Sequence, residues 1–104
     1  SEIYMLEKLG RITEELGKRL ENSKISGKTI TLKIKYSDFS VQTRSKTLTY
    51  FAKDKSILLE VAKELLYQEK IHDSVRLLGI SLTNLNNQKK KKKEVFDVQL
   101  KLEF

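Results

Sequence analysis

The chain has 104 residues, enough for one domain with a single modest hydrophobic core. It carries 21 Lys and Arg against 14 Asp and Glu, and the resulting net charge of +7 attracts polyanions such as nucleic acid or an acidic membrane surface. The absence of Cys excludes disulfides and thiol chemistry, and no apolar run reaches the ~20 residues of a membrane span. We therefore expect a cytoplasmic protein with no membrane partner, and its abrupt start without an initiator Met suggests a piece of a longer protein.

Two segments have the apolar spacing of amphipathic helices. The first helix has its apolar stripe at Met5, Leu6, Leu9, Ile12, Leu16 and Leu20. Gly10 and Gly17 weaken this helix by up to ~1 kcal/mol each relative to Ala, so tertiary packing must support it. The second helix begins after Asp54 as N-cap, ends near Lys70, and has its stripe at Ile57, Leu58, Val61, Ala62, Leu65 and Leu66.

Three segments instead have the period of two that is typical of half-buried strands. These are residues 28–36, residues 40–50 after a turn at Ser37-Asp38-Phe39, and residues 75–85. The predicted fold is α+β, a mostly antiparallel β-sheet with two helices packed on one face and the other face open. Residues 1–88 form this domain, and residues 89–104 are a lysine-rich loop (Lys89 to Lys93) followed by a tail that alternates well enough to be an edge strand.

Residues that could support catalysis are scarce. His72, the only histidine, stands in a polar loop and is predicted to be a solvated side chain, and one histidine without Cys cannot supply a zinc site. Asp38 could ligate a metal, but an Asp in a turn more often bonds its own backbone. The glycines form no phosphate-binding loop. We therefore expect no enzymatic activity and no cofactor in this chain.

Cations and hydroxyls on neighbouring strands favour binding of phosphates. The cations are Lys33, Lys35, Arg44, Lys46 and Arg76, and the hydroxyls include Thr31, Thr43, Ser45, Thr47 and Thr83. The alternative is a solvated sheet face that is basic only for solubility, as open antiparallel sheets commonly are. The lysine run is either a flexible, solvated loop or a nonspecific phosphate contact.

The segment from Gly27 to Leu48 resembles the little finger domain of Y-family translesion DNA polymerases, of the bacterial DNA polymerase IV type. The most specific pieces are Tyr36-Ser37-Asp38-Phe39 and Thr43-Arg44-Ser45-Lys46-Thr47, and the resemblance covers about residues 6 to 85. It implies a domain that lays its sheet along template-primer duplex DNA, mostly touching phosphates. Arg44, Lys46 and Arg76 match DNA-contacting positions of the family.

Catalysis, with its Mg²⁺, would belong to a catalytic core that this chain lacks. The family fold also has a strand before the first helix, which is not recognisable here, so we expect one sheet edge to be exposed or filled by another segment.

The tail Gln99-Leu100-Lys101-Leu102-Glu103-Phe104 is similar to the peptides with which polymerases of this family bind the bacterial sliding clamp. The resemblance implies that Gln99, Leu100, Leu102 and Phe104 bind the clamp in an extended conformation. The resulting hypothesis is a DNA-binding, clamp-recruiting domain of a polymerase active in DNA replication and in repair of DNA damage. Two alternatives remain open: an RNA-binding α+β protein of ribosomal type, and a protein-interaction domain.

Overall fold

The structure is a computed structural model that describes the backbone of residues 2–86 and 96–101 and the side chains of residues 3–86. Its elements, in chain order, are α1 (Glu2–Ser23), β1 (Gly27–Tyr36), β2 (Val41–Ala52), α2 (Lys55–Gln68), β3 (Val75–Leu85) and β4 (Phe96–Lys101). The strands form one antiparallel sheet in the order β2-β1-β3-β4, and both helices pack on one face of it. The predicted fold class is confirmed.

The boundaries of α2 agree closely with those predicted from its capping residue and its apolar stripe. Asp54 caps α2 as expected, because its carboxylate accepts hydrogen bonds from the backbone N–H and the hydroxyl of Ser56. These bonds lower the pKa of the Asp54 carboxyl. Helix α2 ends at Gln68, two residues before the predicted end.

The core lies between the helices and the buried face of β1 and β3. Buried residues of the core include Leu9, Leu16, Leu20, Ile30, Leu32, Ile34, Leu58, Leu65, Leu78, Ile80 and Leu82. Thr13 is the one buried polar residue among the described side chains, and its hydroxyl donates to the carbonyl oxygen of Leu9 at 3.0 Å. Leu6 and Ile57 are only partly buried.

The C-terminal segment supplies the edge strand of the sheet. Strand β4 pairs with β3 from Leu82↔Phe96 to Leu77↔Lys101. The backbone of residues 96–101 therefore forms the edge strand that the alternation of the tail predicted as an alternative. The strand at the other edge is β2, and its exposed side chains include Val41, Tyr50 and Phe51. The lysine run at 89–93 lies outside the described residues.

Candidate nucleic-acid interface

Charge is distributed very unevenly between the sheet and the rest of the domain. Within residues 2–86, strands β1, β2 and β3 hold six cations and no carboxylate. The helices and loops of the same residues hold nine cations and eleven carboxylates. The positive charge of residues 2–86 therefore belongs to β1, β2 and β3, and a polyanion is attracted towards these three strands.

The strand register places five of the predicted contact residues on the face of the sheet that the helices leave uncovered. We call this face the open face; it carries Lys33, Lys35, Thr43, Ser45 and Thr47. Residues directly opposite each other share a face, and Lys33 pairs with Thr43 while the neighbouring Leu32 is buried in the core. The two lysines are half-buried, so their stems lie against the sheet.

Hydroxyl groups form cross-strand pairs beside these lysines. The Thr31 and Ser45 hydroxyl oxygens are 2.7 Å apart, and those of Thr29 and Thr47 are 3.0 Å apart. Asn84, at a backbone φ of 54°, donates from its side-chain amide to the Thr29 hydroxyl at 2.6 Å. The open face of β1 and β2 is thus a row of neutral hydrogen-bonding groups continued by two cations, a composition suited to phosphate oxygens.

Arg44 and Lys46 occupy the opposite side of the same strand. Their Cα partners are the buried Leu32 and Ile30, which places both side chains on the helix side of the sheet. The Arg44 Nε donates to Glu69 at 3.0 Å, and the Lys46 Nζ donates to a carboxylate of α2 at 2.8 Å, that of Glu64. The structure therefore separates these two predicted contact residues from the lysines of the open face.

Glu69 is the centre of a partly buried polar cluster. One carboxylate oxygen accepts from Arg44, and the other accepts from the Tyr36 hydroxyl at 2.8 Å. The hydrogen bond from Tyr36 is the main cause that lowers the pKa of the Glu69 carboxyl, with Arg44 adding to it against the effect of burial. Burial and then Glu69 raise the pKa of Tyr36 to about 12. This cluster fixes β1 and β2 to the end of α2.

Arg76 stands at one end of the open face, near the β1–β2 turn. Its guanidinium carbon lies 4.8 Å from the centre of the Phe39 ring, and the Lys35 Nζ lies 5.6 Å from the same centre. None of the ion pairs between described side chains involves Lys33, Lys35 or Arg76. These three cations are therefore available to an external anion in the described part of the chain.

The other candidate residues have structural roles in the described part of the chain. The Asp38 carboxylate accepts from the backbone N–H and hydroxyl of Ser40, which lowers its pKa, so the turn interpretation is confirmed. His72 is exposed as expected, but its ring also stacks on Tyr36 with the ring centres 4.1 Å apart. Residues 3–86 contain no cluster of three potential metal ligands. No described helix is long and apolar enough to cross a membrane.

The clamp-binding residues predicted in the tail are divided by the end of β4. Gln99 and Leu100 lie in this strand, where their Cα partners are Gly79 and Leu78. Leu102 and Phe104 lie outside the described residues.

Three residues make contacts that the sequence did not predict: Phe39, Tyr36 and Glu69. Tyr36 continues the buried alternation of β1, which predicts packing, and it otherwise enters the prediction only as part of the segment that resembles the family. Glu69 is the residue that ends α2, and it contacts Arg44 across 25 positions of sequence. Periodicity contains no signal for such a contact, because it reports the face of a single element.

Comparison with known proteins identifies the family. Residues 1–96 match the model of the impB/mucB/samB family C-terminal domain. DNA polymerase IV of Clostridioides difficile is 36% identical over 88 residues, which cover 84% of this chain and 24% of that protein. The DNA polymerase IV of Clostridium perfringens strain SM101 is 40% identical over 82 residues, which cover 78% of this chain and 23% of that protein. That of Leptospira interrogans serovar copenhageni is 40% identical over 92 residues (81% and 25%).

The chain thus spans about a quarter of the length of these relatives. The match extends over nearly all of the described residues and includes the strands that form the open face. It does not support the ribosomal alternative. The chain belongs to the impB/mucB/samB family C-terminal domain, which confirms the resemblance to the C-terminal domain of Y-family DNA polymerases.

Proposed function

We propose that this domain binds the template-primer duplex of a bacterial translesion polymerase through the open face of its sheet. The observation that carries the proposal is the sorting of charge, with cations and hydroxyls but no carboxylate on β1, β2 and β3. Contacts to phosphates position a protein on DNA without reading sequence. Synthesis with Mg²⁺ would then occur in a catalytic core, in the cytoplasm where bacterial DNA lies.

The proposed phosphate contacts are ranked by their existing partners. Lys33, Lys35 and Arg76 are the principal contacts, since no carboxylate of the described residues holds them. Arg44 and Lys46 contribute less, because Glu69 and Glu64 already neutralise their charges. The hydroxyls of Thr43, Ser45 and Thr47 add short hydrogen bonds.

A salt titration of duplex binding tests this ranking. The domain is titrated into a fluorescent primed duplex, and anisotropy is read at several salt concentrations. If the three principal cations each neutralise one phosphate, replacing all three by Ala reduces the slope of log affinity against log salt by about 2.7. We expect an affinity loss of at least about tenfold near 0.1 M salt.

The matched control removes three cations from the other side of the domain. Replacing Lys18, Lys53 and Lys63 by Ala changes the net charge equally but takes nothing from the sheet. We expect this variant to lose no more than about threefold, through bulk attraction alone. Equal losses in both triple variants would show that attraction is diffuse, and a salt-independent affinity would refute the electrostatic basis altogether.

We propose further that the tail recruits the bacterial sliding clamp, in keeping with its similarity to clamp-binding peptides. Residues 99–101 pair with Leu77 to Gly79 in the domain, so a groove that encloses the peptide along both of its edges requires these residues to leave β3. With such a groove, clamp binding and sheet pairing of this segment exclude each other. A free peptide of residues 99–104 should bind the clamp more tightly than the domain does, because the peptide breaks no strand pairs.

Calorimetry against purified clamp measures both affinities. The variant with Leu102→Ala and Phe104→Ala should lose at least about tenfold, since each apolar anchor contributes ~1.5–3 kcal/mol on full burial. Its duplex affinity should stay unchanged, because neither residue is charged. A hexapeptide that fails to bind the clamp would refute this second proposal and leave the duplex proposal standing.

A further inference from the structure

Phe39 combines an uncommon backbone conformation with an exposed aromatic side chain. Its φ is 71°, in the left-handed region that bulky residues rarely adopt, and 65% of its surface is exposed. Such a conformation costs free energy and persists only where the surrounding structure imposes it. The tight turn between β1 and β2 therefore holds a large apolar side chain in solvent, where it does not contribute to the core.

The hydrogen bonds of the turn fix the backbone from which this ring projects. The Phe39 N–H donates to the carbonyl oxygen of Tyr36 at 2.9 Å, and the Tyr36 N–H donates to the carbonyl oxygen of Ser40 at 2.9 Å. Asp38 closes the turn through its two bonds from Ser40. A further bond, from the Ser37 N–H to the Ser74 carbonyl oxygen at 2.8 Å, ties the turn to the loop before β3.

Two cations from neighbouring strands meet at this ring. Lys35 belongs to β1 and Arg76 to β3, and both charges lie within 6 Å of the Phe39 ring centre, at 5.6 and 4.8 Å. The π face of an aromatic ring attracts cations at such distances. Two like charges held near one ring raise the local positive potential, so an anion is favoured there.

We propose that Phe39 is a positioning residue that holds Lys35 and Arg76 together as a site for one phosphate group. A guanidinium stacked on a ring keeps its in-plane N–H donors free for a phosphate oxygen. A side chain that is already oriented loses less rotamer freedom on binding than one that is free in solvent. This inference rests on the proposed duplex binding and assigns its strongest phosphate contact to the turn end of the open face.

The test measures duplex affinity of the whole domain after changes to the ring. Phe39→Leu keeps an apolar side chain but removes the π face, and we expect about threefold weaker binding. Phe39→Tyr keeps the π face and should bind within about 1.5-fold of the unchanged protein. If Phe39→Leu fails to fold, as judged by circular dichroism, Phe39→Asn removes the ring with a residue that accepts positive φ and should show the same loss.

A mutant cycle separates positioning from direct contact. In a background with Lys35→Ala and Arg76→Ala, Phe39→Leu should cause almost no further loss, because no cation is left to position. An undiminished loss there would mean that the ring itself contacts DNA, by stacking on a base for example, and would overturn the proposal. Unchanged affinity of Phe39→Leu in the native background would overturn it too. If the unchanged domain bound no duplex, the proposed function itself would fail, which is a different result.

Discussion

Tyr36→Phe is the sharpest test of the polar cluster that joins the sheet to α2. Tyr36 is fully buried, and its hydroxyl donates to Glu69, whose side chain is only 6% exposed. The change keeps the aromatic ring and removes one hydrogen bond to a charged group, which contributes about 1.5–3 kcal/mol. We expect the free energy of unfolding to fall by about 2 kcal/mol at pH 7. Tyr67→Phe, at an exposed tyrosine of α2, is the matched control and should change nothing measurable.

The pH dependence identifies the bond that was lost. The Glu69 carboxyl has its pKa lowered from 4.5 on folding, mainly by the Tyr36 hydroxyl. Its stabilising contribution is therefore complete above pH 4.5 and disappears as the pH falls through the lowered pKa. Tyr36→Phe removes the main cause of this lowering, so the variant loses less stability in acid. The difference between the two proteins should stay constant from pH 7 to pH 4.5 and should narrow as the pH falls further towards about 3.

Urea unfolding followed by circular dichroism, repeated across this pH range, measures the difference directly. The pKa values of Asp38 and Asp54 are also lowered, but both carboxyls are present in both proteins. Their contributions to the pH dependence of stability therefore cancel in the difference. A difference that stays constant from neutral to acid pH would refute the role of Glu69. A difference below about 0.5 kcal/mol at neutral pH would show that the hydrogen bond contributes little.

The glycines offer three further predictions, each measured by thermal unfolding. Gly10→Ala should stabilise by about 0.5–1 kcal/mol, because a Cβ there meets nothing within 4 Å and Ala favours a helix. Gly17→Ala should raise the free energy of unfolding less than Gly10→Ala does, because its Cβ would lie 3.1 Å from the Cβ of Lys55 at the helix–helix contact. Gly27→Ala should destabilise by about 1–3 kcal/mol, since its Cβ would lie 2.8 Å from the carbonyl oxygen of Thr83.

The sequence predicted α1, β1, α2 and β3 well because each of them, unlike β2, has one buried face. Strand β3 begins and ends at the predicted residues. The apolar residues predicted for the stripe of α1 are buried, except for the half-buried Leu6. The limits of β2 were less accurate, ending at Ala52 instead of residue 50. This edge strand is exposed along nearly its whole length, so alternation of burial does not mark its end.

The candidate site was predicted in composition but not in geometry. Alternation within β2 separates Thr43 and Ser45 from Arg44 and Lys46, yet it does not say which set faces the helices. The register with β1 decides this, because Arg44 is opposite the buried Leu32. The partnership of Arg44 with Glu69 and the convergence of cations on Phe39 depend on tertiary contacts between distant segments. Such contacts have no periodic signature.

The charge distribution connects stability and binding in this domain. Carboxylates of the helix layer, such as Glu64 and Glu69, neutralise the two helix-side cations of β2 and thereby tie this edge strand to α2. The same arrangement leaves the open face with cations that have no carboxylate partner among the described residues. A polyanion that approaches the domain is therefore attracted by the open face, whereas cations and carboxylates nearly balance on the helix side. In the proposed duplex complex, this asymmetry of charge would orient the domain on DNA without any contact that reads a base.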